Sequence, residues 1–235
     1  MKKLILALTL FATSYVAIAQ VSPQEKKALT DFYTATQGEN WANKWNLDQP
    51  VSEWSGVTVE NNKVTSIRLL FNNLTGTIPS SIGDLDGLRK LELSFNNLHG
   101  ELPVELGKLN KLEVLAFNGN DLTGSIPSSL GDLSNLKQLH VSSNQLTGEI
   151  PASIGKLNRL EVLNVFDNDL SGAVPSELAA LRNLKELMVA ENNFKDSAVF
   201  STILLANPSF SLDLNDLPIV PDTKSIIAIE TEEEN

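Results

Sequence analysis

The sequence predicts an α/β solenoid, one continuous array of short coils with a parallel sheet along one side and a different kind of structure closing each end. Three observations predict it. A period of 24 residues runs through most of the chain. Within each period, apolar and polar residues alternate over a few positions, as in a short strand with one face buried. Both flanks depart from the period.

Five classes of position keep one register. Asn72, Asn96, Asn120, Asn144, Asn168 and Asn192 recur with Gly76, Gly100, Gly124, Gly148 and Gly172, with Pro79, Pro103, Pro127, Pro151 and Pro175, and with Gly83, Gly107, Gly131 and Gly155. Apolar residues fill the fifth class. Leu88, Leu91, Leu93, Leu98, Leu102, Leu106 and Leu109 correspond to Leu112, Leu115, Phe117, Leu122, Ile126, Leu130 and Leu133.

Each class has a physical task. Leu91 and Leu93 alternate with Lys90, Glu92 and Ser94, which predicts a strand lining one side of its coil. The Asn that follows sits among apolar neighbours, where an unpaired amide is costly, so a stacked column of Asn side chains bonding the backbones of adjacent coils is expected. Gly100 suits a tight bend, Pro103 an extended segment, and Gly107 the end of a short helical or 3₁₀ stretch. One repeat cannot bury its own apolar face, so the coils must stack and the ends need caps.

Composition narrows the function. The 235 residues are 42% hydrophobic and 20% charged, which excludes wholesale disorder. A net charge of −11 makes nucleic acid a poor partner. With no cysteine and only two histidines, thiolate metal sites, cysteine nucleophiles and most imidazole chemistry are removed. The serines of the Ile-Pro-Ser-Ser positions have no His or Lys recurring beside them as a base, and Asp84 and Asp132 lack calcium-loop spacing. Neither catalysis nor a cofactor or metal is expected.

Residues 1–19 carry Lys2 and Lys3, an apolar run from Leu4 to Ile18 and the small-x-small site Ala17-Ile18-Ala19, which predicts a secretory signal peptide cleaved near Ala19. A membrane anchor would need about 20 apolar residues. The mature chain is therefore expected outside the cytoplasm, secreted, periplasmic or on the cell surface, with no membrane span.

Residues 20–63 form the expected N-terminal cap. Ser22-Pro23 opens a helix with Ala28, Leu29, Phe32 and Tyr33 at helical spacing, and Gly38 ends the segment. Val57-Thr-Val59 and Val64-Thr-Ser-Ile67 predict a hairpin. Trp41, Trp45 and Trp54 lie between them and are either an aromatic ligand platform or a hydrophobic lid on the first coil, the lid being the stronger reading. At the other end Asp196 and Val199 replace the Gly and Pro of the period, and Phe210 to Asn215 restores strand and Asn. A capping coil is expected over 196–217, followed by an acidic tail over 218–235.

The run Leu112-Glu-Val-Leu-Ala-Phe-Asn-Gly-Asn-Asp-Leu-Thr-Gly-Ser-Ile-Pro-Ser-Ser-Leu-Gly-Asp-Leu-Ser-Asn135 resembles the plant-specific class of leucine-rich repeat, LxxLxLxxNxLxGxIPxxLGxL. The resemblance covers residues 64–195 and implies a right-handed curved solenoid with the parallel sheet on its concave side. It also implies a module that binds proteins or other extracellular ligands. Leu29 to Thr58 resembles the N-terminal cap of such proteins, in the Tyr-x-x-Thr-x-Gly-x-x-Trp form of bacterial secreted members. The cysteine pair of plant caps is missing, which points to a bacterial envelope or secreted protein.

Strand residues pointing away from the core supply the binding surface. Arg68, Glu92, Ala116, His140, Asn164 and Met188 form one row; Leu70, Ser94, Asn118, Ser142, Phe166 and Ala190 form the next; Phe71, Phe95, Gly119, Ser143, Asp167 and Glu191 form a third. The candidate ligand residues are Arg68, Leu70, Phe71, Glu92, Phe95, His140 and Phe166, for a protein or glycan ligand. Phe71 and Phe95 either form an exposed contact site or pack as a spine beneath the cap; both readings stand at this point. A second function class is a structural or ice-active surface, suggested by Thr75, Thr123, Thr147 and Ser171 in one column, which His99 interrupts.

Overall fold

The computed structural model describes residues 21–196 and the backbone of 211–213. The expected signal segment, most of the expected capping coil and the acidic tail lie outside the described residues.

A helix spans Pro23–Ala35, with Pro23 in its first turn. Ser22 caps it and forms a reciprocal capping box with Glu25, satisfying two of the helix's free N–H groups. The buried Glu25 carboxylate does more: its Oε1 accepts the Val64 N–H at 3.2 Å, tying the helix to the first repeat strand. Ala28, Leu29, Phe32 and Tyr33 are buried, as their spacing predicts. Gly38 does not end the helix. The left-handed residue at the exit is Gln37, with φ 55°, and Gly38 is required because the Tyr33 ring lies where a Cβ would be.

All three tryptophans are buried, and each donates its indole N–H to a backbone carbonyl: Trp41 to Thr36, Trp45 to Ser55 and Trp54 to Gln49. Trp45 stacks on Trp54 with ring centroids 4.8 Å apart, while Trp41 meets Tyr33 edge-on at 5.0 Å. Rings held in this way form a lid over the first coil and offer no face to a ligand.

Strand Val57–Glu60 pairs antiparallel with Lys63–Arg68 through a two-residue turn, Asn61-Asn62, both with positive φ as such a hairpin demands. From there the main sheet is parallel. Lys63–Arg68, Lys90–Glu92, Val114–Ala116, Gln138–His140, Val162–Asn164, Glu186–Met188 and Ser211–Asp213 follow one another in chain order, and we number the coils that carry them one to seven. The register keeps the period from Ile67 through Leu91, Leu115, Leu139 and Leu163 to Leu187, and Leu187 then neighbours Leu212 after a step one residue longer. Inward residues of coils one to six form one continuous buried core with the cap.

The Asn column is the hydrogen-bonded ladder that its burial requires. Asn96 Nδ2 donates to Leu69 O, Leu93 O and Ser94 O at 2.7–3.2 Å, and its Oδ1 accepts from Asn72 N and Leu74 N. Asn72 carries the ladder into the cap, where its Oδ1 accepts the Asn43 N–H at 2.6 Å.

Two expectations fail on backbone detail. Gly100 is no isolated bend: it lies in a second strand, Asn97–Glu101, of a separate sheet following the ladder Asn. This second edge comprises two three-stranded sheets, joined by backbone hydrogen bonds from Gln145 N–H to Leu122 O and from Thr147 N–H to Gly124 O, both 2.8 Å. Gly107 lies inside its 3₁₀ turn, Val104–Lys108, which ends at Leu109. A Cβ at Gly107 would meet Ser129 O at 2.5 Å, so the glycine serves close approach between coils.

Candidate functional site

The main sheet sets which side chains face outward. In each coil the central strand residue points into the core, its two neighbours point out, and the chain then enters a left-handed residue just before the ladder Asn. That position has φ 51° at Phe71, 59° at Phe95, 62° at Gly119, 50° at Ser143, 55° at Asp167 and 53° at Glu191. Positive φ there throws the side chain off the sheet into solvent. Phe71 is 69% exposed and Phe95 50% exposed, so neither is tucked beneath the cap.

The two rings stack face to face, with centroids 4.5 Å apart and planes 7° from parallel. Phe95 also covers the next coil: a Cβ on Gly119 would sit 2.8 Å from its Cδ1. Glycine in the third place of the column therefore leaves room for the second ring, a role the sequence rows did not reveal. Beside the stack, Leu70 is half-buried, and Arg68 Nε lies 3.8 Å from Glu92 Oε2. Both partners of that pair keep solvent contact, so it orients the side chains more than it stabilises the fold.

The seven candidate residues form two groups. Arg68, Leu70, Phe71, Glu92 and Phe95 are gathered on coils one and two. His140 and Phe166 lie on coils four and five, beyond the small residues Ala116, Asn118 and Gly119 of coil three. Phe166 is half-buried and its N–H donates to Asn164 Oδ1 at 3.1 Å. His140 is half-buried against Gln138, and burial pushes its pKa below the usual imidazole value despite the opposing pull of Glu186 and Glu92. Among the described residues no group of acidic or His side chains is arranged to hold a metal ion.

The column proposed as an ice-active surface lies on the second edge. Thr75, His99, Thr123, Thr147, Ser171 and Lys195 follow one another there across the two small sheets.

A family model described as a leucine-rich repeat region matches residues 67–206. The chain belongs to the leucine-rich repeat family. Several of its solved neighbours are leucine-rich repeat ectodomains of plant receptor kinases. The leucine-rich repeat ectodomain of the Arabidopsis thaliana receptor kinase GASSHO1/SCHENGEN3, solved with CASPARIAN STRIP INTEGRITY FACTOR 2, is 32% identical with a TM-score of 0.73. That match covers 80% of this chain and 23% of the ectodomain, so the repeat array here spans a fraction of its neighbour. The HAESA ectodomain of the same plant, in complex with an extended IDA peptide hormone, is 30% identical over 81% of this chain and 32% of that one, with a TM-score of 0.70. A plant ice-binding protein is 26% identical, with a TM-score of 0.57, over 83% of this chain and 78% of its own. Comparison with curated protein sequences gives no match. Among the described residues of this leucine-rich repeat protein, no helix is long and apolar enough to cross a membrane.

Proposed function

We propose that this leucine-rich repeat protein is an exported, non-catalytic binding module whose concave face holds a polypeptide ligand, anchored on Phe71 and Phe95. One observation carries the reading: two large apolar side chains stand exposed and stacked at positions whose backbone disfavours them. A non-glycine residue in the left-handed region costs roughly 1–2 kcal/mol, least for Asn and Asp. Gly119, Ser143 and Asp167 show what the same position holds elsewhere in the array. Backbone strain kept with an exposed aromatic pair is the signature of a contact site. The peptide hormone ligand of the HAESA structure supports the ligand class.

Export rests on residues 1–19, with cleavage near Ala19; mass spectrometry of protein recovered outside the cytoplasm should find Gln20 first, and retention of residues 1–19 would refute it. The second edge gives less support to an ice-active reading, because His99 and Lys195 interrupt its hydroxyl column.

The test is capture of the partner on the immobilised mature chain, followed by titration. Phe71→Ala and Phe95→Ala should each cost on the order of 2 kcal/mol of binding, about 30-fold in Kd. Ser128→Ala, on the opposite side of the coil, should cost almost nothing. If both phenylalanine variants melt earlier yet bind normally, the rings are packing residues and the site lies elsewhere.

A further inference from the structure

Positive charge gathers on a rim apart from the concave face, where each 3₁₀ turn leads into the next strand. The turns Val104–Lys108 and Ala152–Lys156 end in Lys108 and Lys156, and Lys111 and Arg159 follow three residues later, at matching places on coils two and four. All four residues are exposed, and among the described residues none of them is ion-paired. The flanking column shows how the fold neutralises cations elsewhere. There Glu113 meets Lys137 at 2.7 Å and Glu161 meets Lys185 at 2.6 Å, opposite signs on adjacent coils. On the rim, the residue between Lys111 and Arg159 is the neutral Asn135. Its Oδ1 accepts from Arg159 Nη1 at 2.9 Å and its Nδ2 donates to Asn110 O at 2.7 Å, so one amide links coils two, three and four and holds the guanidinium without discharging it. A guanidinium held by a neutral acceptor keeps further N–H donors for an anion. Asp132, between Lys108 and Lys156, is the one carboxylate in these two rows on coils two to four.

The net charge of −11 does not cancel the rim. Glu101, Asp121 and Asp169 stand on the second edge, and at physiological salt charges are screened beyond about 8 Å, so a ligand lying on the rim meets the rim's own charges first. Two steps of about 4.8 Å set the cations of coil two about 10 Å from those of coil four. A nucleic acid duplex, with one charge per about 1.7 Å of axis, would press phosphates onto Asp132. A glycan in which charged and neutral sugars alternate fits the interval, which is about the length of one extended disaccharide. We propose that this rim is a second binding site, separate from the aromatic pair, for an acidic polysaccharide lying along the array. One carboxylate or sulfate meets Lys108 and Lys111, the next meets Lys156 and Arg159, and the neutral sugar between them donates hydroxyl groups to Asp132.

Isothermal titration of the mature full chain at low salt tests this with four probes of matched length: hyaluronan, with one carboxylate per disaccharide; chondroitin sulfate, which adds a sulfate; neutral dextran; and a DNA duplex. At least one acidic glycan should bind and dextran should not. Binding of hyaluronan shows that carboxylates suffice, and binding of chondroitin sulfate alone assigns the sulfate. Lys111→Gln combined with Arg159→Gln should weaken that binding at least about tenfold at an unchanged melting temperature, and it should vanish near 1 M NaCl, where charges are screened within about 3 Å. Phe71→Ala should leave it in place, so this site and the concave-face site stand or fall separately. No binding of either acidic glycan, DNA bound as tightly as the glycans, or an affinity that survives the double variant would overturn the proposal.

Discussion

Replacing Asn120 by Leu removes one rung of the ladder while keeping the branching and heavy-atom count of the side chain, and the hydrogen-bond pattern sets the main cost. Asn120 Nδ2 donates to Leu93 O, Phe117 O and Asn118 O at 2.9–3.3 Å, and Oδ1 accepts the Leu98 N–H at 3.1 Å. The carbonyls are not orphaned by the change. Leu93 O keeps Asn96 Nδ2, Phe117 O keeps Asn144 Nδ2, and Asn118 O keeps the Phe95 N–H. Only the Leu98 N–H loses its acceptor. A buried N–H left unpaired costs about 1–3 kcal/mol, and each lost carbonyl bond adds about 0.5–1.5 kcal/mol. Burial of the leucine side chain offsets part of that, so we expect a net loss of about 3 kcal/mol. The comparison variant is Asn61→Ala, in the exposed hairpin turn, where only the left-handed backbone preference is lost, about 1 kcal/mol or less. Urea unfolding followed by circular dichroism should show a clearly lower midpoint for Asn120→Leu, with the slope unchanged. Coincident midpoints for the two variants would refute the ladder as a stabilising element.

Three further outcomes follow from the same geometry. Gly107→Ala should cost about 2 kcal/mol, because the new Cβ meets the Ser129 carbonyl at 2.5 Å, whereas Gly148→Ala has its nearest neighbour at 3.6 Å and should cost about 1 kcal/mol for its positive φ; equal thermal shifts would remove crowding between coils as the cause. Phe71→Asn should change stability by less than about 1 kcal/mol, since a ring 69% exposed gives up little burial and Asn tolerates the left-handed backbone, while the β-branched Phe71→Val should lose more; the reverse order in thermal denaturation would show that the site carries no backbone strain. His140 has its pKa lowered by burial, so the unfolded chain takes up a proton first as pH falls below the ordinary histidine range near 6.5. Stability should therefore decline on acidification from about pH 7 to pH 5, and His140→Gln should flatten that part of the profile; an unchanged profile would show that His140 is not its source.

The sequence disclosed whatever repeats. Six Asn at one spacing, each followed two positions later by an apolar residue, leave little freedom for the backbone, and the ladder forms as the cost of burying amides requires. The Trp lid was legible because three large rings in one short flank need a core to enter. The second edge was not legible. Its strands are two to five residues long and four of them contain a glycine with φ between 78° and 122°, so the alternation that marks a strand is absent. Gly107 was misread for a related reason: a glycine demanded by a neighbouring coil looks in sequence like one demanded by its own turn. Exposure of Phe71 and Phe95 also escaped the sequence, since it depends on a left-handed residue after an outward one, which alternation alone does not encode. The same gap hid the split of the seven candidates into two groups, because a row is visible in sequence while the space between its members is not.

A periodic fold makes each column a comparison within one molecule, because equivalent positions share backbone, neighbours and depth. Where the left-handed position is filled by Gly119, Ser143 or Asp167, the residue meets local needs, and no function has to be invoked. Where it holds Phe71 and Phe95, local needs are overridden twice in succession, at the end of the array where the Trp-filled cap begins. Stacking of the two rings returns about 0.5–1.5 kcal/mol, which does not cover two left-handed aromatic residues and their exposed surface. The shortfall is borne by the rest of the solenoid, whose ladder and continuous core are indifferent to what one outward column carries. Ion pairing within the fold accounts for charged neighbours on the flanking column, where Glu113 meets Lys137 at 2.7 Å and Glu161 meets Lys185 at 2.6 Å, but no such local pairing accounts for two exposed rings held in succession at a left-handed position.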